Sequence, residues 1–113
     1  MTLPVNNFDT PEPWYDKGSN IVDLDNLLSD GVAVVTATVT CNLYDEDGNA
    51  LTNGSNIALV KIADGHWKKE ILVGAGVVTG PIGSKVLVEV LADIGGGTIM
   101  PFYEWREVVR NYA

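Results

Sequence analysis

A single cysteine, Cys41, and a single histidine, His66, leave this 113-residue chain without an intramolecular disulfide, a CxxC pair or a Cys/His ligand set. That fits a reducing compartment. Basic residues are few: seven Lys and Arg stand against fifteen Asp and Glu, for a net charge of −8. They are scattered, so no basic patch meets a phosphate backbone, and direct nucleic-acid binding is disfavoured. Long apolar runs are missing too. The longest weakly polar stretch, Ile71 to Val78, is broken by Gly74 and Gly76 and falls far short of the roughly 20 residues that span a bilayer. The first residues, Met1 to Asp9, carry neither a basic nor an apolar region, so no secretory signal is read there. The expectation is a soluble protein made in the cytoplasm, with no membrane partner.

What is present is one domain's worth of core. A hydrophobic fraction of 46% with 19% charged residues argues against disorder, and a chain of this length buries enough surface to fold without a staple. No long amphipathic helix and no solenoid-length repeat stands out. Instead, Val35, Ala37, Val39, Cys41 and Leu43 alternate with Thr36, Thr38, Thr40, Asn42 and Tyr44, the pattern of a strand with one wet face. Asp45-Glu46-Asp47-Gly48-Asn49 turns the chain. Ile57 to Ala63 is a second apolar run, and Trp67, Lys69, Ile71 and Val73 alternate with His66, Lys68, Glu70 and Leu72. Val86, Val88 and Val90 continue the rhythm, Asp93 to Gly97 makes a hairpin loop, and a last strand runs from Thr98 towards Arg110 with Pro101 at an edge or bulge. Ile21 to Leu24 reads as a strand followed by a loop or as a helical turn, with the strand preferred. Strands separated by Gly/Asn/Asp turns predict an antiparallel sandwich or barrel.

The first nineteen residues read differently. Pro4, Pro11 and Pro13 among Asn, Asp, Gly and Ser predict an extended arm, residues 1–19, ahead of a domain at 20–113. Trp14 and Tyr15 interrupt it. They either fold back onto their own domain or form a subunit contact, because Trp and Tyr are favoured at interface centres.

No catalytic, cofactor-binding or metal-binding residues are assigned. Asp45, Asp47 and Asn49 resemble the start of a calcium loop, but such a loop wants Gly sixth and Glu twelfth, and Gly48 is fourth and Asn56 twelfth. Gly74-Ala75-Gly76-Val77-Val78-Thr79-Gly80 is GxGxxxG running into Pro81, not a phosphate loop opening a helix. His66 reads as a solvated strand residue, Cys41 as a small core residue, and Asn53-Gly54-Ser55 as an incidental acceptor triplet. Trp67 and Trp105 are expected to close the two ends of the core; together with Trp14 they form a sugar-stacking platform only if they share a face.

Val39-Thr40-Cys41-Asn42-Leu43-Tyr44-Asp45-Glu46-Asp47-Gly48-Asn49 resembles the "TVTATLYDxDGN" strand and turn of small phage and prophage virion-associated β-sandwich proteins. Asp64-Gly65-His66-Trp67-Lys68-Lys69-Glu70-Ile71-Leu72 is similar to their "DGxYxGxL" strand, with Trp67 where Tyr is usual. Gly83 to Val90 is similar to "GxxYxxxV", with Val86 in place of the aromatic. Asp93 to Gly97 and Phe102 to Arg106 match the closing hairpin and aromatic strand. The resemblance runs from Thr36 to Arg110. It implies an all-β, antiparallel Ig-like β-sandwich, or partly closed barrel, in a non-catalytic head, neck or tail component. Its partners would be itself, as a homo-oligomer, or other virion proteins, first in the host cytoplasm and then in the virion. The alternative is a ligand-binding module, for carbohydrate, using exposed aromatic faces.

Overall fold

Period-two alternation becomes strand where a second layer covers the apolar phase. The computed structural model describes residues 12–74 and 76–112, and every regular element among them is a β-strand, as expected. The strands are β1 (Trp14–Tyr15), β2 (Gly18–Leu24), β3 (Leu28–Ser29), β4 (Val32–Ala33), β5 (Thr38–Asp45), β6 (Ile57–Ala58), β7 (Val60–Ala63), β8 (His66–Val73), β9 (Lys85–Gly95) and β10 (Thr98–Val109). One sheet has the order β1-β10-β9-β5-β6, a second β2-β8-β7, and β3 pairs with β4 in a small hairpin.

The wholly antiparallel arrangement expected from the sequence is corrected at one pair of named strands. β1 runs parallel to β10, with Trp14 opposite Val108 and Tyr15 opposite Val109. The reason lies in connectivity: no hairpin joins β1 to β10, and the chain leaves β1 through Asp16 and Lys17 into β2 of the other sheet. Asp16 N–H donates to Val109 O at 2.9 Å, so Tyr15 turns its own backbone groups away from β10. Asn20 meets them. Its Oδ1 accepts from Tyr15 N–H at 2.8 Å and its Nδ2 donates to Tyr15 O at 3.1 Å. A buried amide thus does the work of a neighbouring strand.

Within the segment expected as an arm, residues 1–11 lie outside the described residues. Trp14, Tyr15 and Gly18 onward are strand. Trp14 is wholly buried within its own chain, whereas Tyr15 is 37% exposed.

Both sheets feed one core. Val22, Leu24, Trp67 and Ile71 point in from the small sheet, and Leu43, Val88, Val90 and Phe102 from the large one. Each large apolar side chain so buried contributes about 1.5–3 kcal/mol. The run Ile57 to Ala63 divides between the sheets: β6 pairs with β5, the buried Leu59 donates its N–H to Val39 O, and β7 then pairs with β8. The strand expected from Val35 begins only at Thr38. Val34 N–H donates to Leu27 O and Val34 O accepts from Gly65 N–H, which pins the chain across the end of the small sheet and leaves Val35 exposed. β9 and β10 join through Gly96 and Gly97, whose φ values of 63° and 81° suit the tight hairpin that glycine permits.

β10 puts Phe102, Glu104, Arg106 and Val108 inward, so two charges enter the core. Arg106 Nε donates to Glu104 Oε1, its Nη1 donates to Ile21 O at 2.8 Å, and its guanidinium lies 5.8 Å from the Trp14 ring centroid. Trp105 falls in the opposite phase. It is 50% exposed and closes no end of the core, in contrast to the buried Trp67.

Candidate functional site

The outer face of the large sheet follows from the same alternation read in its other phase. On β10 that phase carries Tyr103 and Trp105, on β9 Leu87 and Glu89, and on β5 Asn42 and Tyr44. The register sets them in two rows: Tyr103–Glu89–Asn42 and Trp105–Leu87–Tyr44. Glu89 is the centre. Its Oε1 accepts from Asn42 Nδ2 at 3.1 Å and from Tyr44 OH at 3.4 Å, and Tyr103 stands beside it on the neighbouring strand.

Every donor to Glu89 is neutral, and no basic side chain among the described residues pairs with it. Tyr44 and Tyr103 both titrate above the ordinary phenol value of 10.0, first through loss of hydration and then through the negative charge of Glu89. Beyond this centre, a shallow depression of about 390 Å³ is lined by Glu46, Lys85 and Trp105. Lys85 lies 3.7 Å from Glu107. The face combines exposed aromatic surface with a half-buried carboxylate.

Elsewhere the chemistry-bearing residues are apart. Asp45 Oδ1 accepts from the backbone N–H of Asp47 and of Asn49, each at 2.9 Å, which makes the acidic cluster a turn. Among the described residues no group of three or more His, Cys, Asp and Glu is placed to hold a metal. His66, expected to be solvated, is corrected: its Nε2 lies 2.6 Å from Asp23 Oδ1, because β2 and β8 pair at this end. Among the described residues no hydroxyl or thiol hydrogen-bonds that pair, and a His–Asp couple needs one to make a nucleophile. Cys41 lies in the core, where burial pushes its thiol up to about 12. Gly74 N–H donates to Val77 O and Val77 N–H to Leu72 O, so the glycine-rich segment closes as a turn at the end of β8.

The three tryptophans do not share a face. Trp14 and Trp67 are core residues, and the aromatic face is built by Trp105 with two tyrosines that the three-tryptophan reading leaves out. Sequence alternation places Tyr44 and Glu89 opposite the apolar phase of their strands, whereas both phases of β10 are mixed; only the pairing register brings Tyr103 to them.

Compared with known protein families, with curated proteins and with solved structures, the chain matches none. No helix among the described residues is long and apolar enough to cross a membrane.

Proposed function

We propose that this chain is a non-catalytic structural component of a phage or prophage particle, working by protein–protein assembly. The observation that carries the reading is the outer face around Trp105, Tyr103, Tyr44 and Leu87. Trp and Tyr dominate the energetics of protein interfaces, and a folded monomer gains nothing from holding Trp105 half in water. The all-β fold, with two sheets around one core, supports the reading. Within that reading the topology is an Ig-like sandwich to which β1 adds a parallel edge strand. Synthesis in the host cytoplasm and incorporation into the particle complete the proposal.

Light scattering of the full chain over a concentration series tests it. Mass should rise above that of a monomer, and Trp105→Ala should hold the chain monomeric while leaving its far-ultraviolet spectrum unchanged. A wild-type chain that stays monomeric at every concentration argues against self-assembly.

A second reading, carbohydrate binding, is favoured by the depression beside Trp105 with Lys85 and Glu46 at its rim. Ring stacking on an exposed indole with flanking hydrogen-bonding groups is how a flat face holds a sugar. Titration with maltohexaose, followed by tryptophan fluorescence, separates the two: a shift abolished by Trp105→Ala supports the sugar reading.

A further inference from the structure

The carboxylate of Glu89 sits between aromatic side chains with no cation of its own among the described residues. A carboxylate has about four acceptor positions, and Asn42 and Tyr44 occupy two. The surrounding rim is acidic as well: Glu46 and Glu107 stand near Trp105 and Lys85, and Lys85 is drawn to Glu107. Such a face attracts a positive charge. Of the cations available, a guanidinium fits it better than an ammonium, because its plane stacks on aromatic rings while its N–H fork meets a carboxylate.

The chain has two arginines, Arg106 and Arg110. Arg106 is buried and committed to Glu104 and Ile21 O. Arg110 follows the last residue of β10, is exposed, and has no ion-pair partner among the described residues. One molecule therefore carries a cation-seeking face and an unpaired guanidinium at separate places. We infer that Arg110 of a second copy docks on the Glu89–Tyr103–Trp105 face, in a head-to-tail contact. Contacts of that kind use two different patches per subunit, so each added copy leaves a free patch, and the series closes into a ring or runs on as a filament. This rests on the assembly reading above and names its geometry.

The experiment uses the full chain and sedimentation velocity. Glu89→Arg and Arg110→Glu should each weaken self-association by about tenfold or more, since each places like charges in contact. An equimolar mixture of the two variants should associate again, because every contact between unlike chains is once more between opposite charges. Glu89→Gln, which keeps the shape of the face, should weaken association less than Glu89→Arg, and raised salt should narrow the difference. If association depends on Trp105 but ignores both charges, or if the mixture stays dissociated, the docking geometry is overturned and the assembly reading stands. If the wild type never associates, self-assembly itself fails. Binding of an acetylated Arg-Gly-Arg peptide, without self-association, would assign the face to another protein and likewise overturn the second-copy contact.

Discussion

Glu104 and Glu89 lie almost back to back. Glu104 on β10 is opposite Val88 on β9, one residue before Glu89, and the two carboxylates project from opposite faces of the same sheet. The inner one comes with its cation, Arg106, at hydrogen-bond reach, and that cation is held in turn by Ile21 O and the Trp14 ring. The outer one has two neutral donors, Asn42 and Tyr44, and no cation among the described residues. A buried charge must be compensated within the chain or the fold fails, whereas a charge at the surface can leave its partner to another molecule. The contrast separates what the fold needs from what the fold offers.

The largest break in this comparison should come from Arg106→Met. Removing the cation strands Glu104 in the core, and loss of one member of a buried pair costs about 3–5 kcal/mol. Denaturant unfolding reads it. Burial raises Glu104 above its ordinary 4.5, with Arg106 opposing the rise. The folded chain thus keeps this proton when the unfolded chain has lost it. Its contribution to stability is full below pH 4.5 and is lost as pH rises through the raised value. Without Arg106 the value rises further, so the deficit of the variant against wild type should widen as pH increases above 4.5. Replacing both members, Glu104→Leu with Arg106→Met, should recover most of the loss.

Trp14→Ala and Trp105→Ala sharpen the same contrast with one residue type. The buried indole should cost about 3–5 kcal/mol, and the half-exposed one under about 1 kcal/mol, both by thermal or denaturant unfolding. Asn20→Ala comes next, at about 1–3 kcal/mol, because the N–H and C=O of Tyr15 lose their partners. The smallest effect belongs to Glu89→Gln, within about 0.5 kcal/mol of wild type. A large loss there would mean that Glu89 holds the sheet together, and the face would no longer read as a surface left for a partner. Cys41 offers a control on all of these: its buried, protonated thiol should resist iodoacetamide at neutral pH in the native state and react on unfolding.

The strands were legible where both signals, alternation and turn, spoke together. β5, β8, β9 and β10 lie where Val39, Ile71, Val88 and Phe102 set the rhythm, and the Gly96–Gly97 hairpin lies where the glycines put it. β1 was not legible, since two residues between Pro13 and Asp16 carry no period, and its parallel partner lies more than ninety positions further on. On β10 both phases mix aromatic, aliphatic and charged residues. Hydrophobicity alone therefore does not choose the inner face, and a tryptophan such as Trp105 reads as core although it is half exposed. The spacing of Glu104 and Arg106, two apart and so on one side of a strand, was the available sign that they could neutralise each other inside. The aromatic face around Glu89 depends on register between three strands, which no local pattern encodes.

Asn20 has a consequence beyond stability. Strand borders invite like strands from other molecules, and uncontrolled stacking of that kind ends in insoluble fibres. By filling the hydrogen-bonding positions beside Tyr15 with a side chain, this residue caps the outer edge of β1 at Tyr15. Backbone pairing of another strand at Tyr15 is thereby blocked, and a copy of the chain that meets the molecule there must recognise it through side chains.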